Sequence, residues 1–207
     1  MKLLCWLVLA TGVAGCATHT QRLVAPADSA ELTRLYDEDQ SDRDAAVGSI
    51  DWTRVGSRDA ARRERVDALL RTGALHSARD YLHAAMIFQH GTQFADVRLA
   101  QALAILAMTI DPGNEQARWL TAACLDRMLV YKVQAQWYGT QYASDDAGIY
   151  LHPVADSAVN DEERRALHVP TLAEAQRNVE QMASVNHLKV RPAAPTLDSL
   201  RQQQKVP

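Results

Sequence analysis

Four short polar motifs contain the side chains of this sequence whose types and spacing suit chemistry. The motifs are Asp39-Gln40 with Arg43, Gln89-His90, Asp126-Arg127, and the run from Gln136 to Gln141. An imidazole titrates near neutral pH and acts as a general base when a carboxylate orients it. If the protein is an enzyme, we therefore expect His90 to be the catalytic base and Asp39 or Asp126 to orient it.

The other polar side chains of these motifs suit the binding of a small polar or anionic ligand. The guanidinium of Arg43 or Arg127 can hold an anionic group through two parallel hydrogen bonds, and Gln141 can orient a polar group. The candidate catalytic residues are thus His90 and Asp126, and the candidate binding residues are Asp39, Arg43, Gln89, Arg127 and Gln141. The sequence has no recognisable nucleophile elbow or phosphate loop. If a reaction is catalysed, we expect a water-mediated hydrolysis, although the spacing of the residues does not require it.

Two further interpretations of the same residues stay open. They can form a satisfied buried network that fixes how the helices dock, because buried polar groups are usually hydrogen-bonded. Alternatively, the domain is an envelope scaffold, since residues 102–125 resemble one tetratricopeptide-like helical hairpin. The sequence shows no second copy of that hairpin at a fixed period and no surplus apolar face for a partner.

Three histidines have a spacing that suggests a metal site. His76, His83 and His90 are seven residues apart and fall on nearly one helical stripe. Seven helical residues span about 10.5 Å, whereas zinc holds nitrogen ligands at about 2.0–2.1 Å. One ion cannot bridge these side chains, so we predict no metal site and no cofactor.

Amphipathic helices must position the polar motifs. The predicted helices run from Asp28 or Ser29 to about Ala46, from Ser57 to about Arg71, from Ser77 to His90, from about Gln93 to Ile110, and from Asn114 to about Tyr131. Asp39 and Arg43 continue the apolar stripe of the first helix, so they either pair with each other or are solvated. The connector at Asp51-Trp52 is predicted to be extended, and most of the arginines of the second helix are predicted to be solvated.

The segment after Tyr131 is predicted to form a flap. Extended runs from Gln136 to Tyr142 and from Ile149 to Val154 flank a turn. A short helix follows Asn160, a last one runs from Thr171 to about Ala183, and a loose tail begins at Ser184.

The predicted fold is mainly α, a single helical bundle of about five to seven helices with a small β-hairpin or flap near residues 136–154. Its predicted bounds are residues 29–183, with a disordered tail at 184–207.

The composition and net charge of the chain argue against nucleic acid as a partner. The chain has 207 residues, 47% of them hydrophobic, and a net charge of −3, so it lacks the basic stripe of a nucleic-acid binder. Only Cys124 of the three cysteines lies within the predicted domain, where we expect it to be buried and unreactive.

The N-terminus resembles that of a bacterial lipoprotein. Lys2 precedes an apolar stretch from Leu3 to Ala14, which is too short to span a bilayer. Val13-Ala14-Gly15-Cys16 is similar to a lipobox. The resemblance implies a signal peptide at residues 1–15, cleavage before Cys16, a lipid anchor on Cys16 and a tether at residues 16–28. The membrane is then one partner, and Ala17 implies sorting to the outer membrane with the domain facing the periplasm. An envelope protein is another candidate partner.

The order of the four motifs is itself similar to a known pattern. Asp-Gln, Gln-His, Asp-Arg and Tyr-Gly-Thr-Gln occur in this order in an uncharacterised bacterial domain family of unknown function, and the resemblance covers roughly residues 32–175. It implies a small, mostly helical domain and no particular activity. This chain has Lys132-Val133 where that family often shows a glycine-containing loop.

Overall fold

A computed structural model describes residues 27–44 and 49–204 of the chain. Within these residues it confirms a mainly α fold with a small antiparallel hairpin. The helices are α1 (Ala30–Ser41), α2 (Trp52–Arg71), α3 (Ala78–Gln89), α4 (Phe94–Ile110), α5 (Glu115–Tyr131), α6 (Asp161–Ala166), α7 (Leu172–Asn186) and α8 (Leu197–Gln204), and the strands are β1 (Tyr142–Asp145) and β2 (Gly148–Leu151).

The core lies where α3 packs against α4, with α1, α2 and α5 around this pair. Helix α3 is buried on almost every side from Leu82 to Phe88, as its near absence of polar surface predicts. Alanines on α4 and α5 have no exposed surface and let the helix backbones approach closely; they are Ala100, Ala104, Ala107 and Ala117. Cys124 is also fully buried, and burial raises the pKa of its thiol to about 12, so it is an inert core residue.

The start of α2 differs from the prediction. Asp51 caps the helix, because its carboxylate accepts a hydrogen bond from the N–H of Arg54 at 3.1 Å. Ser57 is therefore inside the helix, where its hydroxyl donates to the carbonyl of Thr53 at 3.2 Å. Helix α1 ends at Ser41, and its predicted end near Ala46 falls on residues outside the described part.

The C-terminal segment also differs from the predicted loose tail. Ile149 of β2 donates to the carbonyl of Lys189 at 2.8 Å and accepts from the N–H of Arg191 at 2.9 Å. Residues 189–191 thus lie beside β2 and join it through one isolated parallel bridge between Ile149 and Val190; we call residues 189–191 the third strand. Helix α8 follows, so ordered structure continues to residue 204.

Glycine is needed where this third strand meets the hairpin. Gly148 has a φ of 127°, and a Cβ there would overlap the carbonyl of Lys189 and lie 2.9 Å from the N of Arg191. We expect Gly148→Ala to detach residues 189–191, which hydrogen exchange at the amides of Ile149 and Arg191 would detect as lost protection. Gly56→Ala is the matched control, because open space surrounds Gly56 within α2; equal protection in the two variants would contradict the assignment.

The signal peptide at residues 1–15, Cys16 and all but the last two residues of the tether lie outside the described residues. Among the helices of the described ranges, none combines the length and apolar character that crossing a bilayer requires.

Candidate functional site

Asp39 is the centre of the first polar cluster. Its side chain is fully buried on α1, and its carboxylate accepts hydrogen bonds from Arg43 at 3.1 Å and from Gln40 at 2.8 Å. The Nδ1 of His90 lies 2.9 Å from Oδ2 of Asp39, so a proton on Nδ1 completes the set of donors. The structure therefore brings together three of the predicted residues: Asp39, Arg43 and His90.

Helix α2 supplies charges that the sequence analysis missed. Arg43 also contacts Asp59, with 2.5 Å between Nη2 and Oδ2. Arg62 donates to Asp59 at 2.9 Å and to the carbonyl of Glu38 at 3.2 Å, and it pairs with Asp42. We call Asp39, Asp42, Arg43, Asp59, Arg62 and His90 the charge network.

The predicted solvated face of α2 is thus wrong for Arg62, which is 5% exposed. A signal for this was present, because Asp59 and Arg62 share one helical stripe with Val55, Val66 and Leu69, all buried. Charges on an apolar stripe need partners on the facing element, and here α1 provides them.

The charge network neutralises itself. Three carboxylates face three guanidiniums, counting Arg58, which pairs with the outer oxygen of Asp42. Burial would raise the pKa of Asp42, but hydrogen bonds from Arg62 and Arg58 outweigh it and lower that pKa below its ordinary value.

Asp126 is the centre of a second, separate cluster. Its fully buried carboxylate accepts hydrogen bonds from the backbone N–H groups of Trp137 at 2.7 Å and of Tyr138 and Thr140, both at 3.0 Å. The hydroxyl of Thr140 donates to the same carboxylate at 2.9 Å. Four donors saturate the two oxygens, so Asp126 holds the loop of residues 136–141 and has no lone pair left to orient His90.

The same loop is held by three more side chains. Gln136, fully buried, donates to the carbonyls of Gln141 and His152 at 2.9 and 2.8 Å and accepts from the N–H of Gln141. Gln141 donates to the carbonyl of Ala123 at 3.2 Å, which ties the loop to α5. We call Asp126, Gln136, Thr140, Gln141 and Arg164 the loop network.

Arg164 completes the loop network and was missed. Its guanidinium donates to the carbonyls of Trp137 and Tyr138 at 3.0 and 3.1 Å, and it is only 4% exposed. No feature of the sequence distinguished Arg164 from the other charged residues of the short helix α6.

The remaining two predicted residues, Gln89 and Arg127, form a third group with a single hydrogen bond. Arg127 donates to the side-chain oxygen of Gln89 at 3.1 Å, and its guanidinium lies 5.9 Å from the ring centre of Tyr131. Within residues 27–44 and 49–204, no hydrogen bond or ion pair joins this pair, the charge network and the loop network. The seven predicted site residues therefore form three groups instead of one pocket.

Of the predicted site residues, His90 is the one that retains the geometry of an oriented base. Its Nδ1 contacts Asp39, and its side chain is 16% exposed. The cleft beside the charge network, about 670 Å³ in volume, is lined mainly by Asp37, Glu38, Ser41, Asp42 and Arg58, and His90 does not line it. In the described part of the chain, no group of three or more His, Cys, Asp or Glu side chains is placed to hold a metal.

Asp80 fixes the point at which the N-terminal segment enters the domain. Its buried carboxylate accepts from the N–H groups of Ser29, His76 and Ser77 at 2.8, 3.0 and 3.2 Å. Burial would raise the pKa of Asp80, but these hydrogen bonds outweigh it and lower the pKa. The start of α1 is thereby held against the start of α3.

The outer face of α4 corrects the expectation of no surplus apolar surface. Ile105, Leu106 and Ile110 are 42%, 45% and 51% exposed, and Ala102 and Thr109 lie exposed beside them. This face carries no charge between residues 102 and 110.

Comparison of the chain with protein-family models, with curated proteins and with solved structures finds no match.

Proposed function

We propose that the protein is a lipid-anchored lipoprotein of the cell envelope, attached to the outer membrane through Cys16, whose helical domain binds a partner protein and does not catalyse a reaction. The absence of catalysis is proposed because hydrogen bonds to other residues already engage both carboxylates that are candidates for orienting the base. Asp126 accepts four hydrogen bonds from the loop, and Asp39 is occupied by Arg43, Gln40 and His90. Buried side chains that are hydrogen-bonded in this way stabilise the fold.

The anchor is supported by the leader and by how the domain begins. The apolar stretch from Leu3 to Ala14 ends at a cysteine in a lipobox-like context. Asp80 holds the N–H of Ser29, 13 residues after Cys16 (29 − 16), at the start of the first helix. A tether of this length reaches at most about 43–47 Å from the membrane, so a partner on the same membrane lies within reach.

The anchor is tested by replacing Cys16. We expect Cys16→Ala to move the protein from the membrane fraction to the soluble periplasmic fraction, and to remove the acyl mass that mass spectrometry finds on the wild-type N-terminal peptide. Cys5→Ala is the matched control, because Cys5 lies within the leader that cleavage removes. A Cys16→Ala protein that stays in the membrane at the wild-type level would refute the anchor.

The absence of catalysis is tested at His90. We expect His90→Ala to lower the free energy of unfolding by about 1–2 kcal/mol, because the buried Asp39 loses one donor, and to lower Tm by a few degrees. His76→Ala is the control, since the imidazole of His76 is exposed. A His90→Ala protein with unchanged Tm would instead favour the alternative, a hydrolase that uses His90 oriented by Asp39.

One observation favours a second candidate, the tetratricopeptide-like scaffold. The apolar outer face of α4 lies on the helical hairpin that resembles such a unit, and apolar faces of this kind bind helices of other proteins. Ile105→Glu with Leu106→Glu would abolish partner capture in this case and leave the fold intact.

A further inference from the structure

The hydrogen-bond register of the hairpin shows which backbone groups of β2 point to its outer edge. Tyr142 pairs with Leu151, and the next pair along is bonded, because the N–H of His152 donates to the carbonyl of Gln141 at 3.1 Å. Bonded and non-bonded pairs alternate in an antiparallel ladder. The N–H and C=O of Leu151 therefore point away from β1, to the outer edge of β2.

The third strand pairs with that edge at Ile149, and beyond Leu151 the carbonyl of Pro153 accepts from the N–H of Gln136 at 2.9 Å. Ile149, two residues before Leu151, uses its outward N–H and C=O with residues 189 and 191. The chain then leaves the sheet at Pro192, which has no N–H to donate, and the side chain of Arg191 donates to the carbonyl of Ala193 at 2.9 Å. Among residues 27–44 and 49–204, no backbone or side-chain partner reaches the outward N–H and C=O of Leu151.

This open edge faces a groove of about 500 Å³. Polar and apolar groups line it about equally where α7, β2 and the third strand meet; the apolar side chains are Leu151, Val154, Leu172, Val179 and Val190 among others. An open backbone position beside apolar side chains matches a known mode of peptide recognition, in which an extended segment adds a strand and inserts every second side chain.

The charges that line the groove indicate which kind of peptide segment it can bind. Asp156 and Glu180 line it, both are exposed, and neither forms an ion pair within the described residues. The one cation in the lining, Arg191, is already paired with Asp145 and lies over the ring of Tyr150 at 5.4 Å. The uncompensated charge of the groove is therefore negative.

We infer that this groove binds an extended segment of a partner protein that carries lysine or arginine side chains, by adding a strand to β2 at Leu151 with its basic groups at Asp156 and Glu180. The inference rests on the proposed binding function and names its surface and the chemistry of its partner. The apolar side chains of the segment fill the floor beside Val179, and its backbone satisfies the open N–H and C=O of Leu151.

The probe for the test is a short fluorescent peptide in which lysine and valine alternate, and binding to the full mature lipoprotein in detergent is measured by anisotropy. We expect the probe to bind, and a peptide of alternating glutamate and valine not to bind. Glu180→Lys is expected to weaken binding by about tenfold or more, because like charges repel. Glu64→Lys on α2, also exposed, is the matched control and should leave binding unchanged.

A second probe isolates the backbone contribution. Methylating alternate amide nitrogens of the lysine–valine peptide keeps its charges and removes the donors that a strand must supply, so we expect binding to be lost. The inference is overturned if the unmodified probe does not bind, if the methylated probe binds equally well, if Glu180→Lys has no effect, or if the edge is occupied by a second copy of this chain in sedimentation experiments. Cys16→Ala should leave the binding intact, so failure of the anchor and failure of the groove are separate results.

Discussion

Asp126→Ala is expected to lower the free energy of unfolding by about 4 kcal/mol, which corresponds to a fall in Tm of roughly 10 °C for a domain of this size. The substitution deprives three backbone N–H groups and the hydroxyl of Thr140 of their acceptor inside the protein. Each buried donor left without a partner costs about 1–3 kcal/mol, and entry of water into the space recovers part of this sum. Thermal unfolding followed by circular dichroism measures the effect.

Two further variants make this result specific to the loop network. Asp126→Asn keeps one acceptor oxygen and should fall between the wild type and the alanine variant. Asp156→Ala removes an exposed carboxylate and should leave Tm unchanged. If Asp126→Ala unfolds at the wild-type temperature, the carboxylate does not hold residues 136–141, and its availability for catalysis has to be reconsidered.

The helices of the core could be predicted because their ends have local signals. Ser77 and Asp80 form a capping box at the start of α3, and Asn114 caps α5 after the turn at residues 111–113. These interactions join residues three apart, so the sequence alone contains them. The start of α2 was mispredicted because Gly56-Ser57 resembles a helix start, whereas Asp51 provides the actual cap.

The grouping of the polar motifs could not be predicted, because the deciding partners come from distant segments. Asp59 of α2 pairs with both Arg43 and Arg62, and these contacts place Arg43 beside Asp39. Arg164 and Gln136 bind the carbonyls of the loop that Asp126 holds. In the sequence, each of these partners looks like any other polar residue of an amphipathic helix or a loop. Its role is visible only when the three-dimensional position of its segment is known. Spacing within one segment specifies which residues share a face and not which element that face meets.

The third strand was missed for a related reason. Residues 189–191 have no alternation that marks a strand, and their position depends on the approach that Gly148 permits. Val133, two residues after the end of α5, has a φ of 49° and lies in the left-handed region. The chain geometry expected of a glycine is thus present here with a valine.

Arg62→Met is the second large effect that we expect, a loss of about 3–5 kcal/mol in the free energy of unfolding. Arg62 pairs with Asp59 within α2 and with Asp42 at the end of α1, so one guanidinium joins the two helices. Methionine preserves much of its volume but leaves these carboxylates short of positive charge in a buried setting. Removing one partner from a buried ionic cluster costs more than the cluster contributes as a whole, because the remaining charges stay desolvated.

Arg65→Met is the matched control, because it makes the same substitution one turn further along the same helix. Arg65 binds Glu31 through two hydrogen bonds of 2.6 and 2.8 Å, but both side chains are solvent-exposed, and exposed ion pairs contribute little to stability. We expect the Tm of Arg65→Met to stay close to that of the wild type. If the two variants unfold alike, burial does not set the strength of these pairs, and the charge network does not determine how α1 and α2 dock. A large difference in Tm between the two variants would mean that contacts with α2 hold α1 beside α3. The carboxylate of Asp39, which orients His90, would then also depend on the docking of α1 and α2.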